Sequence, residues 1–329
     1  MIAITGGGTG GHLAVAKAVS KELDEFVYIG STKGQDSLWF EGSNCYFLKS
    51  SGFVNQGILG KIKVLFSLIA LVFECLKIFK KHKITCVLSV GGYSSVPASI
   101  AAIISFKALI IHEQNSKIGL ANRLTKPFAK RFFSAYEKEF CPYPVQEKFA
   151  LNKRKRTEIK TILIIGGSQG ARFLNDFALE LYPELLKLNI KLIHQCGAKE
   201  YDKYEKAYEK YEIKPTLIGF SKEIDKYMQE ADFAISRAGA SASFELINIA
   251  LPTLFVPYKY AYKNHQYFNA LHLVENKLAF ICEEKNLNKE FVLNLLKTNA
   301  LEYANNLYEY ENVNGCLLYT FRKKKIFTP

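Results

Sequence analysis

No two of the seven cysteines (Cys45, Cys75, Cys86, Cys141, Cys196, Cys282 and Cys316) stand at metal-ligand or redox spacing, and their number is odd. That disfavours a zinc site, a dithiol centre or a disulfide framework, and the thiols read as buried groups in a reducing compartment. Long apolar runs are also lacking. The longest, Val64 to Phe79, is interrupted by Glu74 and Lys77 and falls short of the ~20 residues that a bilayer crossing needs. The N-terminus shows no basic n-region, apolar h-region or cleavage site, since Ile2 to Thr5 already reads as a strand and Gly6 opens a glycine loop. A cytoplasmic location is the expectation. Acidic residues are in deficit, leaving a formal net charge of +13. Such a surplus favours anionic partners, whether nucleic acid, anionic lipid or phosphorylated substrates, without choosing among them.

What is present is enough apolar material for two cores, at 49% of 329 residues. Short β-rich runs alternate with helical patterns: Ile2 to Thr5, a helix over Leu13 to Leu23, Phe26 to Gly30, Cys86 to Val90, a helix over Val96 to Ser105, and Ala108 to His112. This alternation predicts an α/β fold with a parallel sheet covered on both faces. After the charged stretch Lys153 to Lys160 the pattern restarts with strand Thr161 to Ile165, a glycine loop and a helix from Ala171. Strands over Lys191 to Gln195, Thr216 to Gly219, Phe233 to Ser236 and Pro252 to Val256 follow, with a charged helix over Tyr201 to Tyr211. Two Rossmann-like domains in tandem are expected, 1–152 and 153–329, with a cleft between them as the ligand site. Arg322 to Lys325 reads as a basic tail.

Gly6, Gly8 and Gly11 match G-x-G-x-x-G between a strand and a helix. A nicotinamide dehydrogenase needs an acid near the end of the second strand, where Gly30, Ser31 and Thr32 stand instead. A P-loop enzyme needs Gly-Lys-Ser/Thr, and here the loop ends Gly10-Gly11-His12. What remains is an amide-rich loop at a helix N-terminus, able to face an anion. Such a terminus disfavours imidazolium, so His12 in its first turn can be neutral and accept a proton; the plain alternative is that His12 caps the helix. The second loop, Gly166-Gly167-Ser168-Gln169-Gly170-Ala171-Arg172, adds a hydroxyl and can cradle a diphosphate. Glu245, about two turns beyond the strand end at Ser236, can take the two hydroxyls of a ribose or can simply be a surface glutamate. His265, Gln266 and Asn269 place side chains suited to sugar hydroxyls near the same sheet edge, or form a polar helix start. Val64 to Phe79, flanked by Lys61, Lys63, Lys77, Lys80, Lys81 and Lys83, suits a helix lying on anionic headgroups or an ordinary buried helix with a basic end.

Taken in order along nearly the whole chain, Gly7-Gly8-Thr9-Gly10-Gly11-His12, Gly91-Gly92-Tyr93, His112-Glu113-Gln114-Asn115 with Gly119 and Asn122, Gly166 to Arg172, Arg237 with Gly239 and Glu245, and Gln266 with Asn269 carry a family resemblance. The chain resembles the MurG family of bacterial peptidoglycan N-acetylglucosaminyltransferases, glycosyltransferase family 28. The resemblance implies a GT-B fold and inverting, metal-free, cofactor-free transfer of N-acetylglucosamine from its UDP donor to lipid I, giving lipid II. It implies a donor site of Ser168, Gln169, Arg172, Phe220 with Ser221, Arg237, Gly239, Glu245, His265, Gln266 and Asn269. The acceptor site would comprise Thr9, Gly10, Gly11, His12, Tyr93, Glu113, Asn115 and Asn122. An inverting transfer needs a base for the acceptor hydroxyl, and His12 and Glu113 are the candidates; Arg237 or Arg172, with helix N-termini, would stabilise the departing diphosphate. The family's setting further implies the inner leaflet of the bacterial plasma membrane and proteins of wall synthesis and division as partners.

The chain departs from the family in three places. Leu13 begins the helix directly after His12, where the family has a short insert. Pro142 to Gln146 replaces a Gly-Asn-Pro-Val-Arg segment, losing an arginine. His265 stands where glutamine is usual. Rival expectations are a glycolipid-forming GT-B enzyme, a sugar-nucleotide epimerase sharing the two-domain plan, and a nucleic-acid-binding protein. The last is disfavoured because the basic residues cluster with apolar ones near Val64 to Lys83 rather than with exposed stacking aromatics.

Overall fold

A computed structural model describes residues 1–49, 58–136, 143–167 and 170–310, and side chains from residue 66 onward in the helix Ile58–Lys81. Ser168, Gln169, Cys141, Pro142, Cys316 and the basic segment Arg322 to Lys325 lie outside the described residues. The chain forms two compact units, Met1–Gln146 and a second beginning at Glu147.

The first unit carries β1 (Ile2–Thr5), β2 (Phe26–Ser31), β3 (Cys45–Leu48), β4 (Cys86–Ser89), β5 (Ala108–Glu113) and β6 (Arg131–Ser134) in the order β3-β2-β1-β4-β5-β6. The second carries β7 (Thr161–Ile165), β8 (Lys191–Gln195), β9 (Thr216–Ile218), β10 (Phe233–Ser236), β11 (Thr253–Phe255) and β12 (Phe280–Ile281) in the order β12-β11-β10-β7-β8-β9. Read outward from its first strand, each is the same doubly wound sheet, and all the pairings are parallel. The central strands are buried along nearly their whole length, β7 at every position, because helices cover both faces. The edge strands β3, β6 and β12 escaped the sequence reading for the complementary reason. They are short and only partly buried, so they lack the continuous apolar run of a central strand.

Two expectations are corrected here. The helix placed over Leu13 to Leu23 spans Gly10–Ser20, with Thr9 as its N-cap residue; the glycine pair is its first turn, so Leu13 does not begin it. The charged stretch Lys153 to Lys160 is no linker. Arg156, 2% exposed, donates to the carbonyls of Met228 at 3.0 Å and Ala231 at 3.3 Å and also to that of Ile249. Arg154 donates to Asp232 at 2.6 Å, whose other oxygen accepts from the amides of Lys160 and Thr161, both at 2.9 Å. The segment therefore clasps the N-terminal edge of the second sheet, and the division between units comes before it, after Gln146.

Candidate functional site

In each unit the chemistry-bearing residues gather at the carboxyl ends of the strands flanking the point where strand order reverses, the usual ligand position in open α/β sheets. In the first unit those strands are β1 and β4. Gly6 adopts φ +113°, and a Cβ there would lie 2.4 Å from the Gly91 carbonyl, so the two strand-end loops touch only because neither has a side chain. Asp36, fully buried, organises the first loop. One carboxylate oxygen accepts from the Gly8 amide at 2.7 Å, and the other accepts from the Ser31 amide at 2.9 Å and the Tyr28 hydroxyl at 3.0 Å. The Gly8 amide is thereby turned inward to a carboxylate.

His12 sits in the first turn of Gly10–Ser20, with Nδ1 2.8 Å from Thr9 Oγ1. The N-cap residue, Thr9, makes no side-chain cap to this helix. Carbon and nitrogen atoms of the imidazole approach the position a Gly91 Cβ would take to 3.4 Å, and Asn122 Nδ2 approaches it to 3.0 Å, so both side chains converge on the Gly91 turn.

Glu113 is 3% exposed, and its carboxylate accepts from the Asn115 amide (3.0 Å), the Gly119 amide (2.9 Å) and Asn122 Nδ2 (2.9 Å). A carboxylate so engaged shapes the loop after β5. Asn122 is thereby a buried strut, whereas Asn115 is partly exposed. Tyr93, expected among the acceptor ligands, donates its hydroxyl to the Lys33 carbonyl at 2.9 Å and lays its ring against Gly8. His112 escaped notice except as part of a motif. It is fully buried, and burial, reinforced by nearby His12, pulls its imidazole down to about 3, so it stays neutral.

In the second unit β7 and β10 flank the reversal. The loop after β7 turns through Gly167 (φ +84°) and Gly170 (φ +75°) into the helix Arg172–Lys187. A Cβ on Gly170 would stand 2.1 Å from the Cys196 carbonyl, so only glycine lets this loop reach the end of β8. Arg172, exposed, is the first residue of the helix. Gly239 is the N-cap of Ala240–Asn248 and has open space where a side chain would be. Glu245 lies on that helix and is partly exposed. Among the described residues nothing donates to its carboxylate. Burial, with Asp225 adding to it and Lys148 opposing, pushes its carboxyl up to about 8.

Arg237 is not disposed as expected. It is 8% exposed, pairs with Glu284 at 2.7 Å, and donates to the carbonyls of Val256 at 3.1 Å and Pro257 at 3.4 Å. Its guanidinium pins the β10 and β11 ends. Nothing in the sequence marked Glu284 as its partner. Asn269, fully buried, donates to the Ala238 carbonyl at 3.1 Å and holds the Gly239 turn. Gln266 accepts from the Tyr258 amide at 3.0 Å, and His265 Nδ1 is 2.9 Å from the Tyr262 carbonyl, which requires a proton on that nitrogen. Phe220, just beyond β9, is 42% exposed.

Family models match both units: the glycosyltransferase family 28 N-terminal domain over residues 2–134 and the C-terminal domain over 161–316. The chain belongs to glycosyltransferase family 28. Within that family it is 49% identical over 324 residues, 95% of this chain and 94% of the relative, to the UDP-N-acetylglucosamine–N-acetylmuramyl-(pentapeptide) pyrophosphoryl-undecaprenol N-acetylglucosamine transferase of Campylobacter jejuni subsp. jejuni. The crystal structure of Acinetobacter baumannii MurG superposes with a TM-score of 0.75 at 25% identity, covering 98% of this chain and 99% of that one. The UDP-GlcNAc 2-epimerase from Neisseria meningitidis bound to UDP-GlcNAc, at 12% identity and TM-score 0.66 over 98% and 99% of the chains, shares the fold alone. The fold of this family 28 member is GT-B, built of two Rossmann-like domains.

Proposed function

We propose that the chain transfers N-acetylglucosamine from UDP-N-acetylglucosamine to the C4 hydroxyl of the N-acetylmuramyl unit of lipid I, with inversion, releasing UDP and lipid II. The observation that carries this reading is 49% identity, over 95% of the chain, to a transferase named for that reaction. The geometry fits it. Glu245 lies on the helix Ala240–Asn248, whose N-cap, Gly239, leaves room for a ligand; ribose hydroxyls would donate to its carboxylate. The Gly166 to Gly170 loop and the N-terminus of Arg172–Lys187, with Arg172, would take the diphosphate and stabilise it as it leaves. Gln266 and His265 border the sugar position, with Asn269 holding the turn between them and Glu245, and Phe220 flanks the base.

On the acceptor side, His12 is the candidate base. Its basic nitrogen depends on the proton it shares with Thr9: when Nδ1–H donates to Thr9 Oγ1, Nε2 is left to accept the proton of the acceptor hydroxyl. Glu113 acts at one remove, by fixing Asn115 and Asn122. Transfer of labelled N-acetylglucosamine to a lipid I analogue, with EDTA present, tests these roles. Glu245→Ala should raise KM for the donor, and His12→Ala should lower kcat with little change in donor affinity. A His12→Ala variant with parental kcat would remove His12 from the chemistry.

We infer further that the first unit rests on an anionic membrane face. On the helix Ile58–Lys81, Val72, Cys75, Ile78 and Phe79 are buried, whereas Phe66 is 69%, Ile69 48% and Phe73 61% exposed. The two sequence alternatives thus describe opposite faces of one helix. Lys77, Lys80 and Lys81 are exposed at its end, and among the described residues no helix is long and apolar enough to cross a membrane. An apolar stripe next to lysines suits insertion among anionic headgroups. The double change Phe66→Glu with Phe73→Glu should abolish flotation with phosphatidylglycerol vesicles while leaving UDP binding intact.

A further inference from the structure

Three buried side chains behind the second glycine loop form a chain of hydrogen bonds in which one carbonyl fixes every proton. The Cys196 carbonyl can only accept, and Asn175 Nδ2 donates to it at 2.8 Å. The amide oxygen of Asn175 must then face His194 Nε2, 3.2 Å away, so that nitrogen carries a proton. His194 Nδ1 is left as an acceptor, and the Tyr208 hydroxyl donates to it across 3.1 Å. Asn175 and His194 are fully buried and Tyr208 nearly so, and the rings of Tyr204 and Tyr208 stand edge-on to the imidazole at 5.5 and 5.9 Å. Burial pulls His194 down to about 4, in keeping with a neutral ring. The carbonyl at the end of this chain is the one against which Gly170 packs, with no room for a Cβ. Asn175 is also bonded through its amide to the Ala171 carbonyl at 2.9 Å, in the first turn of the helix that the loop feeds.

We propose that Tyr208, His194 and Asn175 are positioning residues for donor binding: together they fix the Cys196 carbonyl, and through it the Gly170 turn and the amides that follow, in the geometry that receives a diphosphate. The inference rests on the reading of this loop as the diphosphate cradle. A fold needs none of this specificity, since well-packed apolar groups in place of Tyr208, His194 and Asn175 together would fill the same volume, whereas removing any one of them strands a buried polar partner. The ladder instead transmits orientation from the β8 end to the loop.

The test uses the full-length chain, UDP titration, steady-state kinetics and thermal melting. Tyr208→Phe removes one terminal hydrogen bond and should weaken UDP binding about threefold to tenfold. Asn175→Asp keeps the shape but turns an acceptor toward the Cys196 carbonyl, and should weaken UDP by more than about tenfold. Both should raise KM for UDP-N-acetylglucosamine and leave KM for the acceptor unchanged. Tyr182→Phe is the control: its ring packs edge-on against Tyr208 and it loses a partly buried hydrogen bond, to the Ile213 carbonyl at 2.6 Å, that lies outside the Tyr208–His194–Asn175 hydrogen bonds. It should lower the melting temperature like Tyr208→Phe with UDP affinity unchanged. Nitrogen NMR of the His194 ring should show the Nε2–H tautomer. If Tyr208→Phe and Asn175→Asp lower the melting temperature yet keep parental UDP affinity, while Gly170→Ala abolishes binding, the proposal is overturned and the cradle stands. If Gly170→Ala also binds UDP normally, the cradle reading itself has failed and the proposal goes with it.

Discussion

The raised carboxyl of Glu245 makes donor binding depend on pH in a direction that can be worked out in advance. In the ligand-free chain burial holds it at about 8. Ribose hydroxyls donate far more strongly to the ionised form, so binding draws this value back toward that of an ordinary carboxylate and expels a proton. UDP-N-acetylglucosamine is the ligand to use, because its diphosphate diester does not titrate near neutrality. Between about pH 8.5 and about pH 6.5 the fraction of free protein already ionised falls so that the dissociation constant should rise roughly 25-fold. Calorimetry at about pH 7 in buffers of different ionisation enthalpy should find about 0.9 proton released per donor bound. Glu245→Gln should bind about 10- to 100-fold more weakly at about pH 8.5, the loss of hydrogen bonds to a charged group worth ~1.5–3 kcal/mol, and should show neither effect. Stability carries the opposite sign. A carboxyl raised by folding lends stability below its unfolded value that is lost as pH rises through about 8, so Glu245→Gln should gain in melting temperature over the parent above that pH. A flat affinity profile with no proton release would refute the assignment of Glu245 to the ribose.

Breaking the buried Arg237–Glu284 pair by Glu284→Gln should cost about 3–5 kcal/mol, since it strands a guanidinium, and a melting curve reads that directly. Burial pushes the thiols of Cys75 and Cys86 up to about 12; peptide mapping after brief iodoacetamide treatment at neutral pH should find both unmodified in the folded chain and alkylated in guanidinium. Asp36→Asn turns one of the two acceptor oxygens that hold the Gly8 amide and the Tyr28 hydroxyl into a donor, and should lower kcat with donor affinity preserved.

The repeated strand, glycine loop and helix was legible from sequence because central parallel strands are continuous apolar runs and their loops need glycine. Edge strands such as Arg131–Ser134, with one face open, carry no such signature. Within the site, residue types were readable but their assignments to ligand or scaffold were not. Glu113, Asn122, Tyr93, Arg237 and Asn269 all read as groups facing substrate, and each also makes a hydrogen bond or ion pair within its own unit that no spacing foretold. Sequence spacing puts a side chain at the correct sheet edge without saying which way its hydrogen bonds run. The scaffold groups behind the loops, Asp36, Asn175, His194 and Tyr208, come from distant segments and become a set only when the chain folds. A polar residue inside an apolar run, as His194 is in Lys191–Gln195, was the available signal, because burial obliges it to find partners.

The full-length chain, incubated with UDP-N-acetylglucosamine and a lipid I analogue in the presence of EDTA, should yield lipid II and UDP in equal amounts, identified by mass and by the β linkage of the new sugar. Release of an epimerised donor, or glycosylation of a different lipid with lipid I left untouched, would keep the fold and contradict the function.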